Sequence, residues 1–152
     1  MRMITVAALA MVAISATLTA QAPSSASAAE QKLFADANRA RKAQGLQALK
    51  WNEALATAAR RHAGLMAQHG SAEHGYAGEP SLASRVTQAG GHFVWLAENV
   101  VQSASTGGIQ EEFLKSAKHR ANMLDSDMDS IGVGVVERGG QLFAVEDFSK
   151  AK

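Results

Sequence analysis

Apolar side chains fall into three regimes along this chain. Ile4 to Leu18 is an almost unbroken apolar run behind the single charge of Arg2. From Glu30 to Gln68 apolar residues return every three or four positions, the period of a helix face. From Ile131 onward, short β-prone runs are separated by glycine.

The middle regime predicts two helices. The first covers Glu30 to Gln44, with Leu33, Phe34, Ala37 and Arg41 on one face and Gly45 as its stop. Leu46 to Trp51 is a short connection. Asn52 is a good N-cap for a second helix ending near Gln68, and Glu53 suits its first turn. The stripe of this helix is Leu55, Ala58, Ala59, His62, Ala63 and Met66, and Gly70 ends it. Ser71 to Ser81, with Gly75, Gly78 and Pro80, reads as a loop. Ser81 caps a short helix through Gln88 that carries Arg85, and Gly90-Gly91 breaks it. His92 to Leu96 reads as extended, and Ser103 to Gly108 as a turn. Thr106 is expected to cap a third long helix from Ile109 to Ala117. Ile131–Glu137 and Gln141–Phe148 read as strands of a hairpin turning at Gly139-Gly140. Helices first and a hairpin last give an α+β fold, with helices covering a small, mostly antiparallel sheet.

The N-terminal regime bears on where the chain works. One basic residue, an apolar run and small residues ending in Ala26-Ser27-Ala28 form the layout of a secretory signal peptide. The run falls short of the roughly 20 residues that a membrane span needs. Cleavage is expected after Ala28. Ala20 is the second choice, because Leu18 would stand at its −3 position. The expected division is a signal peptide, 1–28, and one domain, 29–152, that is secreted or periplasmic. No later segment is apolar enough to span a bilayer, and a monomer is expected. Removing 28 of 152 residues leaves 124, enough for one core. Arg2 is the one charge lost, so 14 basic and 14 acidic residues balance. Without a net field, nucleic-acid partners are not expected. The absence of cysteine excludes disulfides, thiolate metal sites and thioether-linked haem.

No GxSxG, HExxH, GxxxxGK[ST] or GxGxxG string is present. What remains is scattered histidine and carboxylate. His62 lies on the apolar stripe and reads as a packed residue with one hydrogen-bond partner. His69 suits the end of its helix by its interaction with the helix dipole. His92, beside Phe93 and near Trp95, reads as partly buried. His74 and His119 stand in or beside loops with small or polar neighbours, where sites tend to sit.

An ordered set of strings resembles the CAP superfamily, also called the SCP domain: the cysteine-rich secretory, antigen five and pathogenesis-related proteins. The set begins with Asn38-Arg39-x-Arg41, Gly45-Leu46, Leu49-x-Trp51 and Leu55. It continues through Ala59-x-x-His62-Ala63-x-x-Met66, His74, Arg85, Gly90 and Ala97-Glu98-Asn99-Val100. Phe113-x-x-Ser116-x-x-His119-Arg120-x-Asn122-x-Leu124, Ile131-Gly132-Val133-Gly134-Val135 and Val145-x-Asp147-Phe148 complete it. The gaps look like the short bacterial form. The resemblance implies a three-layer α-β-α sandwich around a small central antiparallel sheet. It also implies a cleft of two histidines and two glutamates. The histidines fall on His74 and His119, and the first glutamate falls on Glu98. The second falls on Ser116, three residues after Phe113 where the family often has tryptophan, so one carboxylate is missing. Glu112 is one turn earlier on that face. Asn99 and Arg120 complete the expected cleft.

Two neutral imidazoles, His74 and His119, suit zinc or another divalent metal held weakly rather than an obligatory cofactor. Glu98 can orient one of them or act as a base. Arg120 would disfavour the His119 imidazolium, or else pair with a helix C-terminus, Asp125 or Asp127. The first functional expectation is a binding module for a small apolar ligand, a lipid or a cell-envelope component. The alternatives are a metal-assisted, peptidase-like hydrolase using His74, His119 and Glu98, and a structural or stress-related envelope protein.

Overall fold

The computed structural model describes residues 20–151, and the apolar run Ile4 to Leu18 lies outside them. Five helices and four strands are present among the described residues. Helix α1, Ala28–Ala43, starts at a capping box. The Ser27 hydroxyl accepts the Glu30 N–H at 3.2 Å, and Glu30 Oε2 accepts the Ser27 N–H at 2.8 Å. Strand β1 is only Lys50–Trp51. Helix α2, Glu53–His69, is capped by Asn52 and ends at Gly70 in the left-handed region, φ 72°. Helix α3, Leu82–Gln88, is capped by Ser81. Strand β2 is Trp95–Ser103, helices α4 and α5 are Thr106–Lys115 and Ala117–Met123, and the hairpin is β3, Ser130–Arg138, with β4, Gln141–Lys150.

The sheet order is β1-β3-β4-β2. The ladders β2–β4 and β3–β4 are antiparallel, and the two-residue β1 joins β3 in parallel, so the sheet is mixed. One face packs on α1, α4 and α5 through Leu33, Phe34, Ile109, Phe113, Ile131 and Phe148. The other packs on α2 through Ala59, Ala63, Met66, Val100, Phe143 and Val145. The α-β-α sandwich is therefore present.

Several boundaries differ from the sequence reading. The expected third long helix is two helices. Ser116, in extended conformation, ends α4 and caps α5. Ser105, not Thr106, caps α4. Strand β2 runs on through Ser103, although buried Glu98 and Asn99 are poor strand formers. The packing also reaches upstream of the expected 28/29 boundary. Ala22 and Ala26 sit in the core, Ser27 caps α1, and the Ala26 carbonyl accepts from Gln31 Nε2 at 2.7 Å. His92 is exposed rather than partly buried.

Motif residues far from any cleft explain why the layers hold their positions. Asn38 bonds the Leu49 backbone in both directions, accepting its N–H at 2.7 Å and donating to its carbonyl at 3.1 Å. The buried Arg41 guanidinium donates to the carbonyls of Gln47, Met123, Asp125 and Met128, tying α1 to the α5–β3 connection. On the opposite face, α2 lies directly over β3. A Cβ at Gly132 would stand 2.0 Å from the Ala56 nitrogen and 2.3 Å from the Leu55 carbonyl carbon. Gly132→Ala must push the helix backbone off the sheet, so we expect a loss of about 2–4 kcal/mol in chemical denaturation. A change under about 0.5 kcal/mol would contradict that packing.

Candidate functional site

Strand β2 is the edge of the sheet opposite β1. Its successive side chains point to opposite faces, so Glu98 lies on the α2 side and Asn99 on the α1–α4–α5 side. Around this edge the chain gathers most of its polar motif residues.

Glu98 is buried, and both its carboxylate oxygens are engaged. Oε1 is 3.0 Å from His74 Nδ1, and Oε2 accepts from Arg85 Nη2. A carboxylate only accepts, so His74 carries its hydrogen on Nδ1 and turns Nε2 away as a free acceptor when neutral. The His74 side chain is 62% exposed, so this acceptor is open to solvent.

Arg85 is itself buried. Its other amine, Nη1, is 3.3 Å from Glu79 Oε1. Asp147 stands opposite Glu98 in the β2–β4 register and is wholly buried. Burial, with the Glu98 charge beside it, pushes the Asp147 carboxyl well above the usual range. No protein hydrogen-bond partner reaches its oxygens.

The second histidine comes from the other face. His119, in α5, lies edge-on to Phe113 with ring centroids 5.3 Å apart. Burial, with the neighbouring His74 ring adding to it, lowers its proton affinity below the ordinary histidine value. Its Nδ1 is buried without a partner. Asn99 holds the α5 backbone by donating to the His119 carbonyl at 3.0 Å, and Asn122 donates to Asn99 Oδ1 at 2.9 Å. Ser116 accepts the His119 N–H at 3.4 Å as the α5 cap.

His74, Glu98, Asn99, Ser116 and His119 thus meet along one edge. Arg120 does not join them: its guanidinium is exposed and donates at 2.8 Å to the Leu114 carbonyl at the C-terminal end of α4. Glu112 is also exposed. Arg85, Glu79 and Asp147 were not among the expected cleft residues. The signal for Arg85 was a long cation on a short helix with few charged neighbours, and that alone does not separate a buried guanidinium from a solvated one.

The set does not fit a resident metal. Among the described residues, no group of three or more histidine, aspartate or glutamate side chains converges. The Glu98 oxygens are taken, and the Arg85 guanidinium beside them opposes a further cation. The expected site was two imidazoles, His74 and His119, and among the described residues no third such side chain completes a metal-holding group with them.

The chain matches the cysteine-rich secretory protein family, CAP, over residues 34–148. It belongs to that family. The Bacillus subtilis protein YkwD, described as uncharacterised, is 31% identical over 122 residues, which cover 80% of this chain and 48% of YkwD. An extracellular SCP-domain protein of Bacillus anthracis superposes with a TM-score of 0.74 at 24% identity, covering 80% of this chain and 40% of that one. An outer surface protein of Borrelia burgdorferi gives 0.75 at 19% identity, over 82% of this chain and 93% of that one. The chain thus spans about half the length of YkwD. Among the described residues, no helix is long and apolar enough to cross a membrane.

A second buried acid on β4 gives a pH-dependent test. Glu146 is fully enclosed, and burial raises its pKa to about 8, with an Asn99 hydrogen bond opposing. Its folded value exceeds the unfolded one, so the native state holds the extra proton. Stability therefore falls as pH rises from about 4.5 to about 8, by on the order of 5 kcal/mol. Glu146→Gln is expected to flatten that slope and to raise the melting temperature above pH 8. Thermal denaturation from pH 5 to 9 checks it, and equal slopes in the two proteins would contradict it.

Proposed function

We propose that this chain is an exported ligand-binding module rather than a hydrolase. The occupied carboxylate of Glu98 carries this reading. A general base needs a free lone pair aimed at substrate, and a metal ligand needs an open oxygen. Glu98 is poorly placed for either role, because it is buried and each oxygen is already held, by His74 and by Arg85. The cleft instead presents hydrogen-bonding groups in fixed orientations, which suits recognition. The extracellular and outer-surface descriptions of the two solved relatives support export.

The ligand class is a small amphiphile. A groove of about 380 Å³ between α1 and α4 has Ala40, Ala43 and Leu114 along its wall, with Lys32 and Arg39 at its rim. Both cations pair with Asp36, leaving one positive charge in excess for an anionic head. Fluorescent fatty-acid titration tests this. Ala43 is exposed, so Ala43→Glu places a charge in the groove without disturbing the core. It is expected to weaken saturable binding about tenfold, or about 1.4 kcal/mol, while His74→Ala leaves it unchanged. No saturable binding by the wild type would remove the amphiphile. Turnover of a peptide library that Glu98→Gln abolishes would reverse the choice between binding and hydrolysis.

Export through the leader expected at Arg2 and Ile4–Leu18 belongs to the same reading. Trimming after Ala28 would strip α1 of its Ser27 cap and the core of Ala22 and Ala26. A chain beginning at Ala29 is expected to be less stable than one beginning at Gln21 by about 1–2 kcal/mol. Equal denaturation midpoints would show that the cap contributes nothing.

A further inference from the structure

The cleft reading leaves His62 unused, although its ring is fully enclosed. It was expected to have one hydrogen-bond partner, and it has two. Nδ1 lies 2.6 Å from Glu79 Oε1, and Nε2 lies 2.8 Å from the Glu73 carbonyl oxygen. A carbonyl oxygen only accepts, so Nε2 carries a hydrogen. The other neighbours of Glu79 are donors. The Tyr76 N–H donates to Oε2 at 3.1 Å, and Arg85 Nη1 stands 3.3 Å from Oε1. A carboxyl surrounded by donors is ionised, so Nδ1 carries a hydrogen as well.

We infer that His62 is a buried imidazolium that clamps the 71–81 loop and thereby positions His74. The clamp grips the loop on both sides of that residue, at Glu73 just before it and at Glu79 beyond it. Tyr76, between the two grips, is tied back as its hydroxyl donates to the Ser71 carbonyl at 2.6 Å. Held this way, the loop brings His74 Nδ1 onto Glu98. His62 touches neither the open side of the cleft nor any ligand in it, and is a positioning residue.

The charged groups around the ring come from every element packed on it. The loop supplies Glu79, and α3 supplies Arg85. Strand β2 supplies Glu98, and β4 supplies Asp147, whose burial favours the protonated acid. From α2 itself, His69 stacks on the far partner Tyr76 with centroids 4.1 Å apart and is exposed. The Tyr76 ring lies 6.0 Å from that of His62 and adds no charge. Two cations, His62 and Arg85, face two carboxylates, Glu79 and Glu98. Taking a proton from His62 leaves a buried carboxylate in surplus and breaks one of the two grips.

What the positioned His74 recognises rests on the proposed cleft, which is separate from the α1–α4 groove, but the test of the clamp does not. Nitrogen NMR of the labelled histidine rings at neutral pH is expected to show both His62 nitrogens protonated and His74 fixed as the Nδ1–H tautomer. In His62→Gln, one amide cannot donate from both sides of a ring. There His74 is expected to relax to the tautomer mixture of a free imidazole. Amide exchange across 71–81 should rise roughly tenfold or more, with β3 and β4 unchanged. Glu79→Gln, which removes the counter-charge but keeps the shape, is expected to leave His62 singly protonated. If either variant fails to fold, the wild-type ring spectrum still decides. A singly protonated His62 at neutral pH overturns the clamp. So does a folded His62→Gln chain whose His74 tautomer and loop exchange match the wild type. Failure of the amphiphile to bind would leave every one of these signals in place.

Discussion

One guanidinium, that of Arg85, sets the electrostatics of the whole cleft. It is buried between Glu79 and Glu98 with Asp147 close behind. A buried cation is tolerated only when its charge is matched; here both amines of Arg85 meet carboxylates, while its buried Nε has no partner. Two carboxylates answer it and the neighbouring His62. Burial, with the Glu98 charge adding to it, pushes the Asp147 carboxyl toward its protonated form. The consequence passes outward. Glu98 is fixed by Arg85, His74 is fixed by Glu98, and the exposed nitrogen of His74 becomes an acceptor. The chemistry at the surface is thus decided by a residue that has almost no contact with solvent.

This arrangement needs a sheet edge. Adjacent residues on a strand face opposite sides, so Glu98 and Asn99 cannot both enter one layer. At an interior strand the two would be separated by the sheet. On β2 the layers meet around the open edge, and Asn99 holds α5 while Glu98 holds the loop on the other side. The same edge would otherwise offer unpaired backbone groups to another chain. Asn122 covers part of it by donating to the Glu98 carbonyl at 3.4 Å.

Much of the fold was legible because its signals are local. Asn52, Gly70 and Ser81 mark helix ends where they were expected, and Gly139-Gly140 turns the hairpin with both residues at positive φ. The missed features depend on tertiary contacts. Strand β2 carries buried polar residues that propensity argues against, and only the Arg85 and α5 contacts make them stable there. The break at Ser116 has no glycine or proline to announce it. Strand β1 is two residues long and exists only because β3 is beside it. Of the cleft, His74, Glu98 and His119 were readable by resemblance. Arg85 and Asp147 stood in the matching strings, but their roles, like that of Glu79, were not readable, since burial belongs to the assembled site.

The missing carboxylate at position 116 is more than a deletion. Ser116 stands in extended conformation between α4 and α5 and satisfies the first turn of α5 with its hydroxyl. Serine is a strong N-cap because its short side chain reaches back to the following N–H groups. Here the receiving group is the N–H of His119 itself. The residue that lacks the second acid is therefore the one that starts the helix bearing the second histidine. A family motif can keep its order and spacing while one position passes from chemistry to positioning. In this chain the one carboxylate, Glu98, is ion-paired to Arg85 and bonded to His74, while His119 is held through its backbone by Asn99 and Ser116.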